Sequence, residues 1–230
     1  RFKNSDKKIL INNFGGIKMI AVKEDTNIVN LKGTIENNLQ FSHEIFGEKF
    51  YTTKIKINRL SESYDVLPIT ISERLLEEVD LNENKLVKVT GQLRSYNKNI
   101  DNKNRLVLTI FVRDIKQEEE EDNKDPNSIF LDGYVCKEPI YRKTPLGREI
   151  TDLLVAINRP YNKSDYIPSI VWGRNAKFAK SLKVGDRIQI WGRVQSREYE
   201  KKREDGEPIK KVAYEVSISK IKKMSENNND

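Results

Sequence analysis

The 230-residue sequence contains one cysteine, Cys136, and one histidine, His43. A single thiol cannot close an internal disulfide, and one thiol plus one imidazole cannot supply the ligands of a zinc site. The same scarcity leaves Cys136 without a nearby base to activate it, so it reads as a small packing residue at the end of a strand. His43 lies between polar residues in an expected hairpin and reads as surface. No apolar run approaches the ~18 residues of a membrane span. Carboxylates fall in turns, on helix surfaces and in one charge run, not in the clustered carboxylate and arginine arrangement that a metal-dependent nuclease needs. No metal, no cofactor, no membrane and no catalysed reaction are expected, and the simplest compartment is the cytoplasm.

What is present is charge. Charged residues make up 33% of the chain, the net charge is +7 and the pI is about 9.2, with 37% apolar residues left to build cores for one or two domains. That balance favours an anionic partner. The most informative stretch is Tyr166-Ile167-Pro168-Ser169-Ile170-Val171-Trp172-Gly173-Arg174. Strand alternation puts Tyr166, Pro168, Ile170 and Trp172 on one face and Ile167, Ser169 and Val171 on the other. At ~3.3 Å per residue the two aromatics stand roughly 20 Å apart, too far to pack together but suited to separate bases of an extended strand.

The neighbouring segments extend the pattern. Leu153 to Ile157 is an apolar strand that Pro160 ends, leaving Tyr161 at its exit. Asn175 is placed to cap a helix over 176–182, with Phe178, Ala179 and Leu182 facing inward. Arg187 to Ser196 alternates again, with Ile188 and Ile190 opposite Gln189, Trp191 and Arg193. Arg197 and Tyr199 continue this strand as a basic arm, the turn 204–208 follows, and Lys211 to Ser219 returns. With Phe130 to Val135 in front, the order is strand, strand, strand, helix, strand, strand, the order of an OB-fold, a five-stranded Greek-key barrel whose usual ligands are oligonucleotides.

The motifs Leu131-Asp132-Gly133-Tyr134, Glu138-Pro139, Thr144-Pro145-Leu146-Gly147, Ala156-Ile157-Asn158-Arg159-Pro160-Tyr161, Ile170-Val171-Trp172-Gly173-Arg174, Lys183-Val184-Gly185-Asp186 and Gly192-Arg193-Val194-Gln195-Ser196-Arg197 together resemble the bacterial single-stranded DNA-binding protein family. The resemblance covers about 95 residues and implies non-catalytic binding of single-stranded DNA in replication, repair and recombination, with RNA as the second candidate polymer. It places the family's base-stacking aromatics on Tyr161, Tyr166, Trp172 and Tyr199, three of them Tyr where the family often has Trp or Phe. Arg148, Arg159, Arg174, Arg193, Arg197, Lys201, Lys202 and Arg203 are interleaved with these aromatics, the pattern of a phosphate-neutralising surface.

The first half repeats the second. Gly33 precedes Gly133 by 100 residues, and Gly91-Gln92-Leu93-Arg94-Ser95 precedes Gly192-Arg193-Val194-Gln195-Ser196 by 101. The expected organisation is mainly β, two tandem OB-folds: a lead segment 1–27, a divergent OB-fold 28–117, an acidic linker 118–127, the family-like OB-fold 128–224 and a polar tail 225–230. The first copy has Tyr64-Asp65-Val66-Leu67-Pro68-Ile69-Thr70 where the second has its aromatic strand, with one aromatic and an added acid, and it lacks the Asn-Arg-Pro-aromatic sequence. Lys and Arg outnumber Asp and Glu by 20 to 15 over residues 1–117 and by 21 to 12 over 127–224, so the larger surplus sits with the aromatics.

Family members typically assemble four OB-folds, which for a chain holding two implies a homodimer. Trp191 points away from Ile188 and Ile190, toward either a base or a subunit interface, with the interface favoured. Family members commonly end in an acidic tail with an apolar tip that recruits repair and replication enzymes; residues 225–230 show no such tip. The alternative function is an OB-fold accessory protein of primosomes or plasmid transfer, acting mainly through protein contacts.

Overall fold

A computed structural model of the chain describes residues 25–59, 61–77, 79, 81–100, 102–119, 126–201 and 208–225. Residues 1–24 of the lead segment, most of the acidic linker, Lys202, Arg203, the turn residues 204–207 and tail residues 226–230 lie outside the described residues.

The first half runs β1 (Asn27–Ile35), β2 (Gln40–Ile45), β3 (Glu48–Asn58), β4 (Tyr64–Ser72), α1 (Glu73–Leu76), β5 (Leu86–Ile100) and β6 (Lys103–Gln117). The second repeats it as β7 (Asn127–Val135), β8 (Ile140–Lys143), β9 (Glu149–Arg159), β10 (Lys163–Trp172), α2 (Arg174–Lys180), β11 (Arg187–Lys201) and β12 (Ile209–Lys223). Within each half the first strand pairs with both the third and the fifth, and the fourth strand runs parallel to the last, which closes a Greek-key barrel. Both halves are therefore OB-folds. The short strands β2 and β8, each antiparallel to the strand after it, are additions to the five-stranded expectation.

Alternation explains which residues fill the barrels. Val29, Leu31 and Ile35 of β1, Ile167 and Val171 of β10, and Ile188, Ile190 and Val194 of β11 point inward and belong to one apolar core that continues through both halves. Gly133 is where β7 turns from one partner strand to another: a Cβ there would lie 2.5 Å from both the Ala156 oxygen and Ile157 Cδ1. Gly33 occupies the same place in β1, where a Cβ would lie 3.0 Å from Ile57 Cγ1 and closer still to the Lys56 oxygen. Only glycine lets the strands approach this closely.

The two barrels are joined edge to edge. β1 and β7 pair antiparallel with Val29 opposite Ile129, giving one 12-stranded sheet from β2 to β8. The Lys32 N–H donates to the Pro126 oxygen at 2.7 Å and the Asp132 N–H to the Thr26 oxygen at 2.8 Å, equivalent bonds on either side of a pseudo-two-fold axis. Two buried aspartates bolt this junction. Asp65 accepts the Ser196 N–H of the other barrel at 2.8 Å, and Asp165 accepts the Ser95 N–H at 2.8 Å.

Three local expectations are corrected. α2 is capped by Gly173 at φ 60°, with no side-chain bond, because Asn175 instead donates Nδ2 to the Ser219 oxygen at 3.0 Å. Phe178 is exposed, since the helix turns Ala176 and Ala179 inward. Asp65 is not an added acid: the register that matches Phe50 to Ser72 in β3–β4 matches Ile150 to Trp172 in β9–β10, so Asp65 repeats Asp165. In the first barrel Val66 and Ser72 therefore stand where the second has Tyr166 and Trp172.

Candidate nucleic-acid interface

β10 presents the face that its alternation requires. Asp165, Ile167, Ser169 and Val171 are buried, whereas Tyr166 and Trp172 retain 45% and 39% of their surface. Ile170, on the aromatic face, is nevertheless covered. Tyr161 follows Pro160 at φ 62° and is almost wholly exposed. Tyr199 stands on the β11 extension with the Arg197 guanidinium carbon 5.9 Å from its ring centre, at the outer limit of a cation–π contact.

Beside Trp172 is a cleft of about 330 Å³ lined by Arg59, Arg148, Trp172, Arg193, Gln195, Ser196 and Arg197. Four of these, Arg148, Trp172, Arg193 and Arg197, are among the candidate residues expected from the sequence. Tyr161, Tyr166, Tyr199, Arg159 and Arg174 do not line it. Arg159 is held 3.4 Å from Asp165, and Arg174 opens α2. Lys201 ends β11, and Lys202 lies outside the described residues.

The arginines are only partly neutralised. Arg197 Nε lies 3.5 Å from Glu215, which also accepts from Gln195 at 2.8 Å. Arg193 donates one long bond, 3.4 Å, to Gln195, and its Nε is buried without an acceptor among the described residues. Arg59 comes from the first barrel, and sequence reasoning missed it. Its Nε donates to Asp65 at 2.8 Å, and this bond holds its pKa above the ordinary arginine value against the opposing effect of burial. The signal for it was the Asn58-Arg59 pair repeating Asn158-Arg159. Across the pseudo-two-fold axis Arg94 is affected in the opposite sense: burial lowers its pKa although it donates to Asp165 at 3.0 Å.

Trp191 is half-buried. It packs on Phe130 with ring centres 5.2 Å apart, and Lys220 Nζ sits 4.6 Å from its ring. Its own barrel thus supplies part of its cover. Cys136 Sγ donates to the Leu154 oxygen at 3.2 Å, and burial raises its pKa, the reverse of an activated thiol. His43 stacks on Phe50 at 4.9 Å. No group of three or more metal-ligating side chains occurs among the described residues, and no described helix is long and apolar enough to cross a membrane.

Paired OB-folds with an open face of aromatics and arginines define a protein of the oligonucleotide-binding class. The model of the single-strand binding protein family matches residues 126–224. A single-stranded DNA-binding protein of Clostridium tetani is 34% identical over 103 residues, 42% of this chain and 68% of that relative. Single-stranded DNA-binding protein 3 of Listeria innocua is 36% identical over 81 residues, 32% of this chain and 51% of that relative. The chain belongs to the single-strand binding protein family. It spans between about half and two thirds of the length of these curated relatives. The wild-type single-stranded DNA binding protein of Thermus aquaticus superposes with a TM-score of 0.70 over 89% of this chain and 95% of that one at 17% identity, a likeness of fold that takes in both barrels.

Proposed function

We propose that the chain binds single-stranded DNA with little sequence preference and without catalysis, by stacking bases and neutralising phosphates. The observation that carries this reading is the convergence of exposed Trp172 with Arg148, Arg193 and Arg197 on one cleft of the barrel that matches the family. An aromatic face accepts any base, and guanidinium groups bind the phosphates that every strand shares. In this reading Tyr161, Tyr166, Tyr199, Arg159, Arg174, Lys201 and Lys202 are further contacts to the strand. Residues 28–117 and 128–224 act as the two OB-folds, with 118–127 as their linker. The protein works as a homodimer in the cytoplasm, in replication, repair and recombination.

Titration of the protein against labelled DNA and RNA oligonucleotides of matched sequence and graded length tests this. Saturable binding of single-stranded DNA, indifferent to base composition and leaving the strand intact with Mg²⁺ present, is the expected result. Degradation of the strand, or affinity no better than for duplex of equal length, overturns it.

A further inference from the structure

Arg59 belongs to the first barrel but lines the cleft made by Trp172, Arg148, Arg193 and Arg197 of the second. We infer that this cleft is a composite seat for a backbone phosphate of the bound strand, and that the first barrel takes part in binding by supplying Arg59 across the domain boundary. The inference deepens the single-strand-binding reading above and rests on it.

Arg59 is held in place from both sides of the boundary. Its Nε and Nη2 donate to the two oxygens of Asp65, and Asp65, fully buried, accepts the Ser196 N–H at 2.8 Å. Ser196 is itself part of the cleft wall, and its Oγ accepts the Val66 N–H at 3.1 Å. A single carboxylate thus fixes a guanidinium of one barrel against the wall of the other. Asp65 is a positioning residue here, and Arg59 is the group that meets the phosphate.

The lining carries four arginines against two acids beside it, Asp65 on Arg59 and Glu215 on Arg197. No carboxylate is among the lining residues. Arg148 makes no ion pair among the described residues, Arg193 has only its long bond to Gln195, and the contact of Arg197 with Glu215 is 3.5 Å. Like charges gathered beside one another are unfavourable until an anion joins them. A phosphodiester supplies that anion and puts the attached base within reach of Trp172.

The repeat supplies an internal comparison. Arg159, Asp165 and Ser95 reproduce Arg59, Asp65 and Ser196 on the other side of the pseudo-two-fold axis. There, however, Glu48 stands in the place of Arg148 and Ser72 in the place of Trp172. Ser72 Oγ donates to Glu48, whose other oxygen pairs with Arg74 at 3.1 Å. A carboxylate repels phosphate, and serine offers no ring. Among the described residues there is therefore one such seat and not two.

The test is a salt titration of single-stranded DNA binding by the full chain and by Arg59→Gln, Arg59→Lys, the paired change Arg59→Gln with Asp65→Asn, Arg113→Gln and Trp172→Ala. The paired change keeps an acceptor for Ser196 while removing both charges, so it separates phosphate contact from folding. Each phosphate contact contributes about 0.7 to the log–log salt slope on a single strand. Arg59→Gln and the paired variant should each lose about that much, so that over a fourfold rise in salt their affinity falls ~2.6-fold less than that of the wild type. Arg59→Lys should restore the slope. Arg113→Gln, an exposed first-barrel arginine outside the cleft, should leave it unchanged. If the wild type binds and Trp172→Ala weakens it, but the slope of the folded paired variant equals that of the wild type, the composite seat is refuted and the binding reading stands. If the wild type does not bind, both fall.

Discussion

Replacing Trp172 by alanine separates a binding role from a packing role, because the structure bounds both effects. Trp172 keeps 39% of its surface exposed, so roughly three fifths is covered by its own barrel. Taking ~200 Å² for a buried aromatic, about 120 Å² is at stake, which at ~25 cal/mol per Å² sets a ceiling of about 3 kcal/mol on the folding cost. The loss in binding should be about 1 to 3 kcal/mol, the usual worth of one stacked base, or about 5- to 150-fold in Kd. The two can be told apart. Calorimetry reports the fall in Tm, anisotropy with a labelled oligonucleotide well below that Tm reports Kd, and Trp172→Phe should recover most of the affinity because any aromatic ring can stack. Unchanged affinity in folded Trp172→Ala would refute the stacking argument. So would a Trp172→Phe variant that binds as weakly as Trp172→Ala, since that would reduce the effect to packing.

Changing Arg193 and Arg197 together to alanine should flatten the salt slope by up to about 1.4, two phosphate contacts' worth, and an identical slope would take them out of the interface. Asp186 has a lowered pKa, first from the Lys223 ammonium 2.7 Å away and then from the Lys183 N–H at 3.0 Å. A depressed carboxylate stabilises the fold above its unfolded pKa of about 3.9 and loses that contribution as pH falls through the lower folded value. Asp186→Asn should thus lower Tm at pH 7, by an amount that shrinks as the pH falls below the unfolded pKa of about 3.9, whereas a difference independent of pH would argue against the ion pair. Light scattering should give a mass near twice 26.8 kDa, reduced to the single-chain value by Trp191→Arg. A wild-type mass of one chain would refute the homodimer.

The elements and their faces could be read from the chain alone. Period-two alternation in Tyr166 to Trp172 put both aromatics on the side that proves exposed, because a strand's side chains alternate whatever lies beyond it. The 100-residue spacing from Gly33 to Gly133 revealed the repeat, because barrel closure needs a residue without a Cβ at that point in each copy. Other features exist only once the barrels have closed and joined. Asp65 looked like an acid inserted into a degraded strand, and it is a bolt between barrels, because its partner Ser196 lies 131 residues away and no local pattern encodes that contact. Trp191 looked unpartnered, and Phe130 covers part of it, because β7 and β11 become neighbours only when the barrel closes. The repeat marks Arg59, since Asn58-Arg59 matches Asn158-Arg159, but it does not say where the side chain ends up. Only the pairing of β1 with β7 carries it to Trp172, since side chains from two barrels share one cleft only after that edge is fixed.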